Sequence, residues 1–206
     1  MKQGMWKKRQ EYFWMYDKVP FLAVLTGAVI VLCFVYAKVT EKEYAFNAML
    51  LDVHTNAREE TLAEEYAEYA GINTKKYEVL ISTSLLFSDA SSGNYAMSSL
   101  ARFYSLIGTE ELDACMMLEE DFRKYAKADS FLDLRELFTE EELEDFPELY
   151  TDGTGRVLGI YGDTLPGIEE IEGYQDPDTR CLAGVIYNTR HPGNAKKFLE
   201  YLNEEF

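Results

Sequence analysis

Residues 19–37, VPFLAVLTGAVIVLCFVYA, run for nineteen positions without a charged side chain. As a helix rising about 1.5 Å per residue they reach roughly 28 Å, close to the thickness of a bilayer's hydrocarbon core. The run therefore predicts a transmembrane helix over 19–37. The preceding segment carries Lys2, Lys7, Lys8, Arg9 and Lys18 against Glu11 and Asp17, whereas the charges that follow are mixed. The positive-inside rule then predicts a single-pass protein of the cell membrane, its N-terminus cytoplasmic and its C-terminal part outside. Trp6, Tyr12, Phe13, Trp14 and Tyr16 suit the aromatic belt of the inner leaflet. Cleavage as a signal peptide is the alternative, but the run exceeds a usual h-region and Val35 is a poor residue before a cleavage site. Val31 and Leu32 before Cys33 argue against lipidation at that cysteine.

The expected organisation is a cytoplasmic basic and aromatic segment over 1–18, the membrane helix over 19–37, a stalk over 38–44 and one domain over 45–206. The 169 residues after the apolar run suffice for one domain with its own core. They hold 15 basic and 35 acidic residues, a balance of −20. Phosphate is repelled by such a surface, so no nucleic acid is expected as a partner. An anionic lipid surface is repelled as well.

The outer segment alternates strands and helices. AFNAMLLDV (45–53) reads as a strand buried on both faces. A helix follows with Leu62, Tyr66 and Tyr69 on one stripe and Gly71 as its stop. Further core strands are expected near 79–86, 112–118 and 182–188. Met97, Leu100, Tyr104 and Ile107 define the stripe of a second helix, and EEDFRKYAKA a third with acids in its first turn. Thr139 and Glu142 form a capping box, LYTDGTGRVLGIY is a hairpin turning at 152–155, and Pro192 opens a last helix whose core face is Ala195, Phe198, Leu199 and Leu202. The fold class predicted is α/β: an N-terminal transmembrane helix, then one doubly wound, mostly parallel sheet with helices on both faces.

Three stretches resemble the extracellular solute-binding proteins of bacterial transporters, of the type II periplasmic-binding-protein fold. They are ELDACMMLEEDFRKYAKADSFLDLRELFTEEEL, the hairpin with RVLGIYGD, and GVIYNTRHPGNAKKFLEYL. Members of that family have about twice this length and two lobes that close on a ligand. The span from Tyr161 to Leu182 is too short for a second lobe, so the resemblance implies a single lobe. Half a clamp cannot enclose most of a small ligand's surface.

In doubly wound sheets ligands sit outside the carboxyl ends of the strands. The candidate ligand-binding residues are therefore His54, Asn56, Ser84, Glu119 and Asn188. Each has a plainer reading: His54 and Asn56 suit helix capping, Ser84 can satisfy loop backbone, and Glu119 complements a helix N-terminus. Asp163, Asp176 and Asp178 offer oxygens to calcium, without the regular spacing of a calcium loop. The tyrosines suit core edges, or a platform for sugar or peptide. No CxxC, HExxH, GxGxxG, Walker or nucleophile-elbow motif occurs, so neither a cofactor nor catalysis is expected. Cys115 and Cys181 fall in expected strands, where cysteine is usually a small buried apolar residue; an exported domain could also join them. The functional expectation is a non-enzymatic module at the cell surface that docks a membrane complex or another surface protein. The alternative is residual small-molecule binding, completed by a dimer.

Overall fold

The computed structural model describes residues 18–40, 42–87, 93–166, 172–173 and 178–204. The first seventeen residues, with their basic and aromatic side chains, and the Asp176–Pro177 pair lie outside the described residues. The chain divides into two units, Met1–Lys42 and Glu43–Phe206. In the first, the apolar run is helix α1, Lys18–Thr40. Its Val19–Tyr36 stretch is long and apolar enough to cross a membrane, a property that signal sequences share. Strand β1 begins at Glu43, so the segment expected as a stalk is divided between the end of α1 and the start of β1.

The second unit runs β1 (Glu43–Leu51), β2 (Val53–His54), α2 (Glu59–Ala70), β3 (Tyr77–Leu85), α3 (Gly93–Gly108), β4 (Ala114–Leu118) and α4 (Glu119–Lys127). It continues through α5 (Glu140–Glu144), β5 (Leu149–Thr151), β6 (Val157–Tyr161), β7 (Glu172–Gly173), β8 (Cys181–Val185) and α6 (Pro192–Asn203). Six strands form one sheet in the order β3-β1-β4-β8-β6-β5, and β2 pairs with β7 in a separate ribbon. Pairings β3–β1 and β1–β4 are parallel; β4–β8, β8–β6 and β6–β5 are antiparallel. The sheet is therefore mixed rather than mostly parallel. The reason lies in the connections. Helices α2 and α3 carry the chain back between parallel strands, whereas the described residues from Gly162 to Arg180 include no helix long enough for a crossover. Strand β8 consequently starts at the end where β6 stops and runs the other way.

The apolar strands explain why helices cover both faces, since a strand buried on both sides needs a layer on each. Phe46, Ala48 and Leu50 of β1 face one core, with Leu62 and Tyr66 of α2 and Phe198, Leu199 and Leu202 of α6. Met49 and Leu51 face the other, with Phe103 of α3 and Phe122 of α4. The first core centres on a triad of rings: Phe46 lies 4.7 Å from Tyr66 and 4.9 Å from Phe198, and Tyr66 meets Phe198 edge-on at 5.3 Å. In the second, Phe122 stacks on Phe131 at 4.0 Å. Its ring enters a slot made by two glycines on neighbouring strands. A Cβ on Gly159 would meet Phe122 Cζ at 2.7 Å and the Ala183 carbonyl at 2.8 Å; one on Gly184 would meet Phe122 Cε2 at 2.8 Å and the Leu158 carbonyl at 2.9 Å.

Local signals act as their chemistry dictates. Gly71 takes a left-handed φ of 71° and ends α2. Thr139 and Glu142 form the reciprocal capping box of α5, and Pro192 is the first residue of α6. Two helix faces differ from their expected stripes. Tyr69 is half-exposed, and α2 instead buries Leu62, Tyr66, Ala67 and Ala70. In α3 the buried residues are Ser99 and Phe103, while Met97 and Tyr104 stand in solvent. The Phe103 ring sets that rotation, packing edge-on against Phe87 at 5.3 Å and Tyr125 at 5.2 Å. Cys115 and Cys181 are both free. They belong to opposite faces of the sheet, and β4 pairs Cys181 with Leu118 and Cys115 with Gly184, so no disulfide joins them.

Candidate functional site

The parallel strands bring Asp52, His54 and Asn56 after β1, Ser84 near the end of β3 and Glu119 after β4 to one end of the sheet. The connection after β1 is covered on one face by α2, and α4 after β4 packs on the other. The topological switch point lies between those two strands. Asp52 makes the turn out of β1 with a left-handed φ of 54°. Its N–H donates to the Leu85 carbonyl at 2.8 Å, and its Oδ1 accepts the Phe87 N–H at 2.8 Å. His54 is exposed in the two-residue ladder opposite Glu172, and Asn56 is also exposed. Neither caps α2: the residue at its N-cap is Arg58, without a side-chain cap. The side chain of Ser84 lies outside the described residues.

Glu119 belongs to a lattice of charge over the ends of β4, β6 and β8. Its N–H donates to the Arg180 carbonyl at 2.9 Å. Its Oε1 accepts the Tyr161 hydroxyl at 3.1 Å and Arg123 Nε at 2.9 Å. The Arg180 guanidinium lies 3.7 Å over the Tyr161 ring, donates two bonds to Glu148 at 2.9 and 2.7 Å, and reaches Asp163 at 3.0 Å. The bond from Arg180 holds the Glu148 carboxyl below the usual carboxylate range, and the same bond raises the guanidinium further. Burial, then the Glu119 charge, raises the Tyr161 phenol. The first turn of α4 carries Glu119, Glu120 and Asp121, and that of α2 carries Glu59 and Glu60. Carboxylates already stand where two helix dipoles would attract an anion, so this end of the sheet disfavours phosphate and carboxylate ligands. Asp163, offered by the sequence as a calcium ligand, instead pairs with Arg180.

Asn188 does not join this group. Because β8 is antiparallel to β4, its carboxyl end lies beside the start of β4, at the opposite end of the strands. There Asn188 Nδ2 donates to the Ile107 carbonyl at 2.8 Å. Beside it sits a buried polar clasp. Asp113, 1 % exposed, accepts the Asn47 N–H at 2.9 Å, the Thr189 hydroxyl, and His191 Nδ1 at 3.2 Å. The Asn47 side chain donates to the Glu111 carbonyl at 2.8 Å. These bonds tie the entrance of α6 to the middle of β1 and the start of β4. The sequence does carry a trace of them: Asn47 and Asp113 are the polar interruptions of two otherwise apolar strand runs.

A third feature was not anticipated. A shallow hollow of about 250 Å³ lies between α2, α5 and α6, with Tyr69, Phe138 and Phe146 as its apolar part and Glu142, Asp145 and Glu204 at its rim. Lys196 stands 4.9 Å over the Phe138 ring and pairs with Glu142 at 2.7 Å. Among the described residues, no group of three or more His, Cys, Asp or Glu side chains could hold a metal ion. No family model matches the chain, and neither a curated protein nor a solved structure matches it.

Proposed function

We propose that this chain is a non-enzymatic docking module, retained in the membrane by α1 with its acidic α/β domain outside the cytoplasm, where it engages a membrane complex or another surface protein. The observation that carries the reading is α3. Of its sixteen residues only Ser99 and Phe103 are buried, it has no acidic side chain, and Met97 and Tyr104 are 69 % and 55 % exposed. That face stands out on a segment with a balance of −20. A partly apolar surface without acidic side chains on a strongly acidic body suits contact with a protein. The strand-end lattice supports the same choice, because Arg180, Tyr161 and Glu119 occupy the ends of β4, β6 and β8 with their own contacts. The resemblance to one lobe of a solute-binding protein fits a module that presents a surface rather than closing on a solute. A photo-crosslinking residue at Met97 or Tyr104, activated in intact cells, tests it. A discrete adduct of one added protein is expected; adducts equal to those from exposed Glu144 on α5 would refute it.

The hollow beside Phe138 favours a second reading, binding of a small cationic solute, because it joins aromatic faces to carboxylates. A melting temperature unmoved by millimolar alkylammonium or guanidinium compounds would remove that alternative.

A further inference from the structure

The two edges of the sheet are built differently. Strand β5 is three residues long, too short to template another strand. Strand β3 is nine residues long and pairs only with β1 among the described strands. Its sequence YEVLISTSL contains one charge, Glu78, and no proline or lysine. Such devices normally blunt an edge. Lys75 and Lys76 precede the strand and leave its body unguarded. The register with β1 is unbroken from Val79 to Ser82, and those four residues are buried or half-buried. In a parallel pair alternate residues turn both N–H and C=O away from the neighbour, so beyond Tyr77, whose N–H donates to the Asn73 carbonyl at 2.9 Å, the β3 edge presents donors and acceptors along Glu78–Ser82.

One such amide shows how the fold treats this backbone. The Thr83 N–H donates to Glu59 Oε1 at 2.7 Å, so the first turn of α2 reaches β3 and covers its carboxyl end. The rest of α2 supplies charge. Glu65 accepts the Tyr201 hydroxyl and Tyr69 packs 5.5 Å from the Tyr201 ring, so that flank of α2 faces α6. At about 100° per residue, Glu60 and Glu64 lie on the flank turned away from α6, toward the open edge. Both are exposed and neither forms an ion pair among the described residues. On the other layer α3 offers Arg102 as its only charge.

We infer that β3 accepts an extended segment of the partner as an added strand, with basic side chains on the face that passes beneath α2. Main-chain hydrogen bonds along Glu78–Ser82 supply the attachment, and Glu60 and Glu64 select the charge on that face. A second copy of this domain is a poor occupant, because it brings the same acidic flank to the same edge. This inference rests on the docking reading above and names the chemistry of the docked segment.

The test uses the full chain in zwitterionic micelles and a labelled Lys-Val-Lys-Val-Lys-Val-Lys peptide. Saturating peptide is expected to slow hydrogen exchange at least tenfold at alternate amides of Glu78–Ser82. Methylation of alternate peptide nitrogens should weaken binding at least tenfold. A Glu-Val peptide should not bind, and Glu60→Gln with Glu64→Gln should raise Kd severalfold without changing the melting temperature. Binding that leaves those amides unprotected, or that tolerates methylation, would mean attraction to an acidic surface alone and would overturn the inference, as would no binding at millimolar peptide. If this fails while crosslinks from Met97 persist, the docking reading stands and only its strand-addition form is lost.

Discussion

At the scale of single residues, the fold depends on a few close fits. The Phe122 ring occupies the space of two absent side chains, at Gly159 and Gly184. Gly184→Ala sets a methyl against both the ring and a backbone carbonyl, and is expected to cost about 1–3 kcal/mol, read by urea unfolding. Phe122→Leu in the same background should restore part of that loss; no recovery would place the strain elsewhere. Tyr66 is buried, and its hydroxyl donates to the Asn194 carbonyl at 2.6 Å, with burial pushing the phenol far up. Tyr66→Phe leaves that carbonyl without its donor at a cost of about 1–2 kcal/mol by the same measurement. Burial also raises the thiol of Cys115 and pushes Cys181 up to about 12. Neither is a thiolate at neutral pH, so both should resist alkylation until the domain unfolds. Residue identity alone announced the apolar character of these cysteines. It could not announce that they face opposite layers, because that depends on a register set by distant chain.

At the scale of elements, local chemistry was legible and direction was not. The cap of α5, the left-handed Gly71, the hairpin turn and the buried face of α6 follow from neighbouring residues, and the structure contains all four. Thr139→Ala should destabilise by about 1 kcal/mol, measured by thermal unfolding. The stripe of α3 differs because its apolar residues spread around most of the helix, and Phe103, not Met97 or Tyr104, is the ring that its neighbours bury. Asn188 was grouped with the wrong strand ends because nothing in LAGVIYN says which way the strand runs. Acid should loosen two elements first. Glu148 is held down by Arg180, and Asp152 is held well below the carboxylate range by Thr154 and then by Arg156. With folded values below unfolded ones, their stabilisation is complete above about pH 5 and is lost as pH falls further. Glu148→Gln should lower the melting temperature at pH 6 and flatten its decline between pH 4 and pH 3; an unchanged slope would deny the lattice that role.

At the scale of the whole molecule, a long apolar helix precedes an acidic α/β domain, and the proposed partner would meet its β3 edge and the α3 face that lacks acidic side chains. The retained helix and the exported domain are the central claim. Glu144 is exposed on α5, the thiols of Cys115 and Cys181 are buried, and Cys33→Ser removes the third cysteine, so that labelling reports position 144 alone. The most direct measurement is reaction of Glu144→Cys with a membrane-impermeant maleimide in intact cells, with the chain length read on the same gel. The account predicts labelling equal to that of lysed cells, on a chain that keeps its first 37 residues. Labelling that appears only after lysis, or on a chain shortened past the apolar run, would contradict it.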